Sequence, residues 1–351
     1  MRALVLSGGE GSRLRPITHT NAKQLIPIAN TPILFHVLHR IAEAGITEVG
    51  IVVGQTAAEV EAAVGDGSAW GLRVTYIPQE APLGLAHAVL TAADFVRGEP
   101  FVMYLGDNVL LQDIGGFVAR FERTRPDAQI FLAHVPEPER FGVAVLDGDR
   151  VVRLVEKPRE RISDLALVGV YLFDERILEA CAALRPSWRG ELEITDAIQW
   201  LIDHGGTVRA EMVTGWWKDT GRPEDLLEAN RMMLGTLAPR VEGEVDDAST
   251  LEGVVVVEAG AKVVASRLVG PVIVGPGTLV EGSTVGPDAS ISGGCEIRGS
   301  VVTDSIVMEG CRIVGVPGIT GSILGRGVEV RHGGGGMHRL VLGDQSRVEV
   351  E

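Results

Sequence analysis

Leu6-Ser7-Gly8-Gly9-Glu10-Gly11-Ser12-Arg13-Leu14, followed by Asn21-Ala22-Lys23-Gln24-Leu25-Ile26-Pro27, decides how this chain is read. A short apolar strand, Ala3 to Leu6, runs into a glycine-rich turn. Glycine lets the backbone approach an anion closely and aim its N–H groups at phosphate oxygens. Arg13 and Lys23 then supply the positive charge that backbone dipoles alone do not. The spacing is not the dinucleotide-binding fingerprint. Nor is it a Walker loop, because no Gly-Lys-Ser/Thr follows the glycines.

Downstream, strands and helices alternate to about residue 240. Thr31-Pro32 predicts a helix start, with an N-cap and a proline at the first position, and Gly45 predicts its end. Val49 to Val53 reads as a buried strand, and Thr56 with Glu59 as the capping box of the next helix. Arg73 to Ile77 and Phe101 to Leu105 are further strands, with a helix over Gly84 to Val96 between them. Such alternation predicts an α/β fold with a mostly parallel sheet covered by helices. Ligands of these sheets bind at the carboxyl ends of the strands. Gly8, Gln79 and Asp107 each follow a predicted strand end, so one edge collects them.

After residue 240 the character changes. Residues 1–240 hold 23 glycines and residues 241–351 hold 22. Ile273, Leu279, Val285, Ile291 and Ile297 recur every six residues, and Val257, Val263 and Val269 repeat the step earlier. A six-residue apolar repeat predicts a parallel β-helix. The repeat decays after Thr303, and His332 to His338 reads as a flexible glycine-rich loop whose two histidines are too few for a metal site.

Composition sets further bounds. A net charge of −15 over 351 residues disfavours nucleic acid, whose binders need a basic surface. A few cations in a cleft still suit a small anion. No apolar run reaches the roughly 18 residues of a membrane span. Met1-Arg2 leads straight into a strand, which predicts no signal peptide and a cytoplasmic protein. Cys181, Cys295 and Cys311 show no metal-like spacing and read as reduced thiols.

Three motifs add chemistry. Gly106-Asp107-Asn108 offers a carboxylate that either holds Mg²⁺ or caps a turn. Trp217-Lys218-Asp219-Thr220-Gly221 offers a second, either for the same ion or as a helix cap. Glu156-Lys157-Pro158 ends another strand; its lysine suits a phosphate and its glutamate substrate hydroxyls, with a surface ion pair as the plain alternative.

These motifs occur in order with Pro78-Gln79-Glu80-Ala81-Pro82-Leu83-Gly84-Leu85-Ala86, Arg140-Phe141-Gly142-Val143, Val168-Gly169-Val170-Tyr171 and Arg189-Gly190-Glu191-Leu192-Glu193-Ile194-Thr195-Asp196. The set resembles the sugar-nucleotide pyrophosphorylases, in most detail the glucose-1-phosphate thymidylyltransferases, over residues 1 to about 235. With its tail, the chain is similar to the long form common in actinobacterial natural-product pathways. The resemblance implies a Rossmann-like nucleotidyltransferase domain over residues 1–240 and a left-handed β-helix-like hexapeptide-repeat domain over residues 241–351. It implies that Leu6, Gly8, Gly9, Gln24, Gln79, Gly84 and Leu85 bind the nucleotide, and that Asn108, Gly142, Glu156, Lys157 and Val168 bind the sugar phosphate. Arg13, Lys23, Asp107 and Lys157 become the catalytic set, and Asp107 and Asp219 the ligands of Mg²⁺. The implied partners are a nucleoside triphosphate, a sugar 1-phosphate and further copies of the chain in a homo-oligomer. The implied setting is deoxysugar or antibiotic biosynthesis. A cyclitol 1-phosphate of the valienol type, or a nucleotide such as GTP, is the alternative. A silent paralogue is disfavoured, because Arg13, Lys23, Asp107 and Asp219 are all present. Two positions depart from the pattern: Val145 stands where relatives commonly carry glutamate, and Lys218 where short forms carry an apolar residue. Val145 either weakens discrimination for glucose or simply points into the sheet.

Overall fold

The computed structural model describes residues 1–9, 11–148, 150–332, 337 and 339–350, with Glu349 and Val350 described by their backbone alone. Glu10 of the glycine-rich turn, and Gly333 to Gly336 and His338 of the expected loop, lie outside the described residues. Contacts group the chain into two compact units, neither continuous in sequence: residues 1–10 with 33–219, and residues 11–32 with 220–351.

Among the described residues, the first unit is built on a nine-stranded sheet. Arg2–Ser7 lies between Glu48–Val53 and Phe101–Leu105, with Arg73–Pro78 at the edge, all parallel. Leu4 pairs with Gly50 on one side and Met103 on the other. Leu165–Phe173 then runs antiparallel to Phe101–Leu105, and Gly142–Asp147 pairs antiparallel with Arg150–Glu156. The parallel half is thus the part the strand–helix alternation predicts. The other half mixes directions, and within it so short a link as that between Asp147 and Arg150 joins its two strands only as an antiparallel hairpin. Fully buried Leu4, Val52, Phe101, Met103, Ile130 and Phe173 form its core.

Three local expectations change. Thr31–Pro32 pairs with Pro27–Ile28 as a short ribbon, and the helix starts only at Ile33. Ala29 and Asn30 turn that ribbon at φ +46° and +62°, the positive angles of a tight hairpin turn. Thr56 occupies an N-cap position but makes no side-chain cap hydrogen bond. The helix over Gly84 to Val96 is two, Leu85–Thr91 and Ala93–Val96, broken at Ala92.

The second unit carries a parallel β-helix beginning at Arg240–Val241. Val257 pairs with Val274, and Val274 with Ile291, so a coil takes 17 residues, the separation also seen between Ser266 Oγ and Ser283 N. The inward stripe is Val257, Val263, Leu268, Val274, Val280, Val285, Ile291 and Ile297, each 0% exposed. Each coil takes two steps of six residues and one of five. Val269, Ile273 and Leu279 are therefore neighbours of the inward positions rather than members of the stripe. Nor does the repeat decay after Thr303: Val307, Ile313, Ile319, Leu324 and Val330 continue it, and His332 ends the strand Glu329–His332. At one corner Ser249, Ser266, Ser283 and Ser300 form a ladder, each hydroxyl accepting the backbone N–H one coil on. The ladder satisfies donors that the bend takes out of the sheets. Cys181, Cys295 and Cys311 are free and buried.

The inward register predicts an asymmetry. Ile297→Ala should cost about 2–5 kcal/mol, the usual range for a fully buried isoleucine. Leu279→Ala, on a half-buried neighbour position, should cost clearly less. Urea unfolding of the β-helix transition measures both; equal losses would restore the strict six-residue reading.

Candidate active site

In the first unit, the carboxyl edge of the parallel strands gathers the expected nucleotide residues. Leu6 is buried near the end of its strand, and Gly8 and Gly9 follow it. Gln79 follows the edge strand, two strands over, its N–H bonded to Val53 O at 2.8 Å. A Cβ on Gly8 would stand 3.1 Å from Gln79 Oε1. Gln79 Nε2 lies 2.8 Å from His87 Nδ1 and 3.5 Å from Gly84 O, on the Leu85–Thr91 helix and its start. Gly84 sits at φ +108°, and any Cβ there would strike the Leu192 backbone, which accepts the Ala86 N–H at 3.0 Å.

Sheet register brings the backbone segments of the two metal-ligand candidates side by side. Asn108–Leu110 pairs antiparallel with Trp217–Asp219, placing Asp219 opposite Asn108 and beside Asp107. Asn108 is buried; its Nδ2 donates to Asp107 Oδ1 at 2.9 Å, and its Oδ1 accepts Trp217 Nε1–H at 2.8 Å. Both carboxylates are half-buried. Among the described residues no three His, Cys, Asp or Glu side chains cluster as a metal site. Two hard oxygen donors without a third suit Mg²⁺, which typically takes one or two carboxylates plus substrate phosphate.

Gly142 pairs with Glu156 across the hairpin. A Cβ at Gly142 would stand 2.5 Å from Thr195 Cγ2 and 3.0 Å from Glu156 Oε2, so only glycine leaves that carboxylate its place. Glu156 accepts from Thr195 Oγ1 at 3.2 Å and lies 3.6 Å from both Lys157 Nζ and Arg189 Nη1. Arg189 also bridges to Glu193 at 3.1 Å and Glu191 at 2.8 Å. Burial pushes the Glu156 carboxyl above its usual range, opposed by Lys157 and reinforced by Glu193. Val168 is fully buried in Leu165–Phe173. Val145 pairs with Arg153, three residues along its strand from Gly142, roughly 10 Å away and on the opposite face. Its valine is a strand residue remote from the Gly142–Glu156 pair.

Arg13, Lys23 and Gln24 belong to the second unit. Gly11 sits at φ +62°; a Cβ there would lie only 3.1 Å from Lys23 Cβ, and its carbonyl accepts Thr18 Oγ1 at 2.8 Å. Lys23 and Gln24 are buried in the short turn Lys23–Leu25, while Arg13 is exposed. Gln24 is 2% exposed, and its Oε1 accepts no hydrogen bond among the described residues. A buried acceptor of this kind is costly unless something donates to it.

Residues 2–235 match the Nucleotidyl transferase family. The chain belongs to that family. It is 55% identical to a glucose-1-phosphate thymidylyltransferase of Streptomyces griseus, over 100% of this chain and 99% of the relative. It is 53% identical to the enzyme of that name from Streptomyces antibioticus, over 100% of both. A Bacillus anthracis chain, solved with sucrose and provisionally assigned the same activity, superposes with a TM-score of 0.63 at 36% identity, over 66% of this chain and 94% of that one. The protein is thus a nucleotidyltransferase of nucleotide-sugar biosynthesis, taking a nucleoside triphosphate and a sugar 1-phosphate.

Sequence reasoning passed over several residues here. Arg189, Glu193 and Thr195 stand in a quoted motif, but nothing local ties them to Glu156. The ring of Trp217 packs edge-on against Phe141 at 5.6 Å, and His87 meets Gln79 from one turn into its helix. The only signals were an aromatic pair and a histidine among alanines.

Glu156 predicts a pH dependence. Its carboxyl is raised above 4.5 by burial, so its contribution to stability is fully present below that pH and is lost as pH rises through the raised value. Glu156→Gln should therefore melt above wild type at pH 7, with the gap closing toward pH 4.5. Thermal melts across that range measure it; a variant less stable at pH 7 would contradict the burial argument.

Proposed function

We propose that the protein transfers a thymidylyl group from dTTP to glucose 1-phosphate, giving dTDP-glucose and pyrophosphate. Identity above 50% over the full length of two thymidylyltransferases carries the choice of substrates. The proposal includes a Mg²⁺ requirement, a cytoplasmic location, a role in deoxysugar or antibiotic biosynthesis and a homo-oligomer. Val241 and Leu251, 51% and 38% exposed on the first coil, support the last point.

In this reading a phosphate oxygen of glucose 1-phosphate attacks the α-phosphorus in line, forming one P–O bond as the bond to the β-phosphate breaks. The electron pair leaves with pyrophosphate. The nucleophile is already an anion, so no general base is needed, and catalysis rests on positioning and charge neutralisation. Arg13 and Lys23 neutralise the triphosphate, and Lys157 meets the sugar phosphate. Glu156, held by Thr195 and Arg189, accepts from sugar hydroxyls. The amides of Gln24 and Gln79 present both donor and acceptor to the base. Asp107 and Asp219 would hold Mg²⁺, which when bound neutralises charge on the phosphate oxygens.

A matrix of dTTP, UTP, GTP and ATP against glucose, galactose and valienol 1-phosphates, read by pyrophosphate release, tests the choice. The highest kcat/KM should fall on dTTP with glucose 1-phosphate; preference for GTP with the cyclitol phosphate would replace it.

Asp107→Ala and Asp219→Ala should each lower kcat about a hundredfold or more, roughly 2.7 kcal/mol, while the fold stays intact by circular dichroism. Near-normal turnover in either variant at modest Mg²⁺ would remove it from the metal site.

A further inference from the structure

The tail does more than stack coils. In the second unit, residues 11–32 are tied to the β-helix at two places, one on each side of Lys23 and Gln24. The first tie centres on Asn21, 4% exposed. Its Nδ2 donates to both carboxylate oxygens of Asp344 at 3.0 Å, and its Oδ1 accepts from Arg326 Nη1. Thr20 Oγ1 donates to Asp344 Oδ2 at 2.9 Å, and Arg326 N to Asp344 Oδ1 at 2.8 Å. One carboxylate on the turn after Val341–Leu342 therefore fixes both a coil backbone and a buried amide of the loop. Gly343 lies close beneath: a Cβ there would stand 3.1 Å from Pro16 O.

The second tie is at the ribbon turn. Asn30 Nδ2 donates to Ile291 O at 2.8 Å, and its Oδ1 accepts from Ser292 Oγ at 3.3 Å. Ala29 N donates to Asn230 Oδ1 at 2.8 Å, and Asn230 Nδ2 to Asp288 O at 3.3 Å. Ala29 also packs with Leu234, Val256 and Ile273. This contact explains why Ile273 is apolar although it faces away from the inward stripe.

We infer that the late coils of the β-helix set the conformation of the nucleotide-binding segment, with Asp344, Arg326 and Asn21 as positioning residues for Lys23 and Gln24. The inference rests on assigning Arg13, Lys23 and Gln24 to the nucleotide. Lys23 follows Asn21 by two residues, so freedom gained at Asn21 passes directly to the lysine. A charge-assisted hydrogen bond to a buried amide holds such a turn far better than a solvated contact. The coils thereby become part of the nucleotide site without touching the nucleotide.

The test uses full-length Asp344→Ala, Asn21→Ala, the double variant and, as control, Glu252→Ala, which breaks an exposed charge pair with Arg267 on an early coil. Amide hydrogen exchange is followed over residues 15–26 without ligand, and KM is measured for each substrate. Asp344→Ala should speed exchange in that window at least tenfold and raise nucleotide KM about tenfold, with the KM for glucose 1-phosphate within twofold. The double variant should be no worse than the more damaged single one, and the control should match wild type. Unchanged exchange overturns the inference, as does faster exchange with unchanged nucleotide KM. An equal rise in both KM values, or the same change in the control, shows general loosening and overturns it too. Wild type that binds no nucleoside triphosphate by calorimetry sinks the functional assignment instead, while exchange over residues 15–26 still decides whether Asp344 anchors the loop.

Discussion

A Cβ at Gly54 would stand 2.8 Å from the backbone oxygen of Gly8, and this closeness of two neighbouring strand ends governs the edge on which the candidate residues Gly8, Gln79 and Asp107 sit. The parallel register, Ser7 opposite Val53, brings the turns after both strands to one level. Gly54 can then carry no Cβ without striking the Gly8 backbone, and glycine at this point leaves the backbone accessible to an anion. The next strand follows the same logic. Gly106 N bonds to Leu6 O at 2.9 Å, which sets the chain direction into Asp107. Gln79 owes its place to the bond from its own N–H to Val53 O. The polar groups of this edge are thus positioned by backbone pairing before any side chain contributes.

Much of this was legible because it is local. Short apolar strands mark their own carboxyl ends, by Gly8 and Gly106 after two of them and by Pro78 at the end of the third, and Gly8, Gln79 and Asp107 fall where those ends predict. Adjacency of Asp107 and Asp219 was not legible. It depends on the pairing of Asn108 with Asp219, and no pattern within either segment encodes a partner that distant. The same holds for Arg189, drawn to Glu156 by tertiary packing. Thr31-Pro32 misled for another reason: its cap-and-proline pattern is sound, yet the positive φ tolerated at Ala29 and Asn30 lets the preceding residues pair as a ribbon instead.

The β-helix is legible in kind and misread in register. Ile273-Val274 and Leu279-Val280 each place two aliphatic residues side by side, so either member satisfies a count of six. Only pairing between coils separates them. The five-residue side keeps the coil at 17 residues while the six-step count drifts off the inward stripe. The outward members are apolar for separate reasons, as Ile273 shows against Ala29 and Leu234.

A chain of net charge −15 that takes two anionic substrates needs its cations placed locally, and screening makes that sufficient. At physiological ionic strength exposed charges beyond about 8 Å are largely screened, so acids elsewhere weigh little against a lysine in contact with phosphate. Many of those acids are already paired on the coils, as Glu252 is with Arg267 and Glu309 with Arg326. Lys157 shows what local placement costs. Its φ is +41°, a region that disfavours residues with a Cβ by roughly 1–2 kcal/mol. Its N–H bonds to Phe141 O at 3.0 Å, and its ammonium lies 3.6 Å from Glu156. Glycine would relieve the backbone and asparagine would tolerate it, yet neither carries a charge. A strained lysine next to a carboxylate held by Thr195 and Arg189 has a backbone conformation that persists only where the surrounding structure over-determines it.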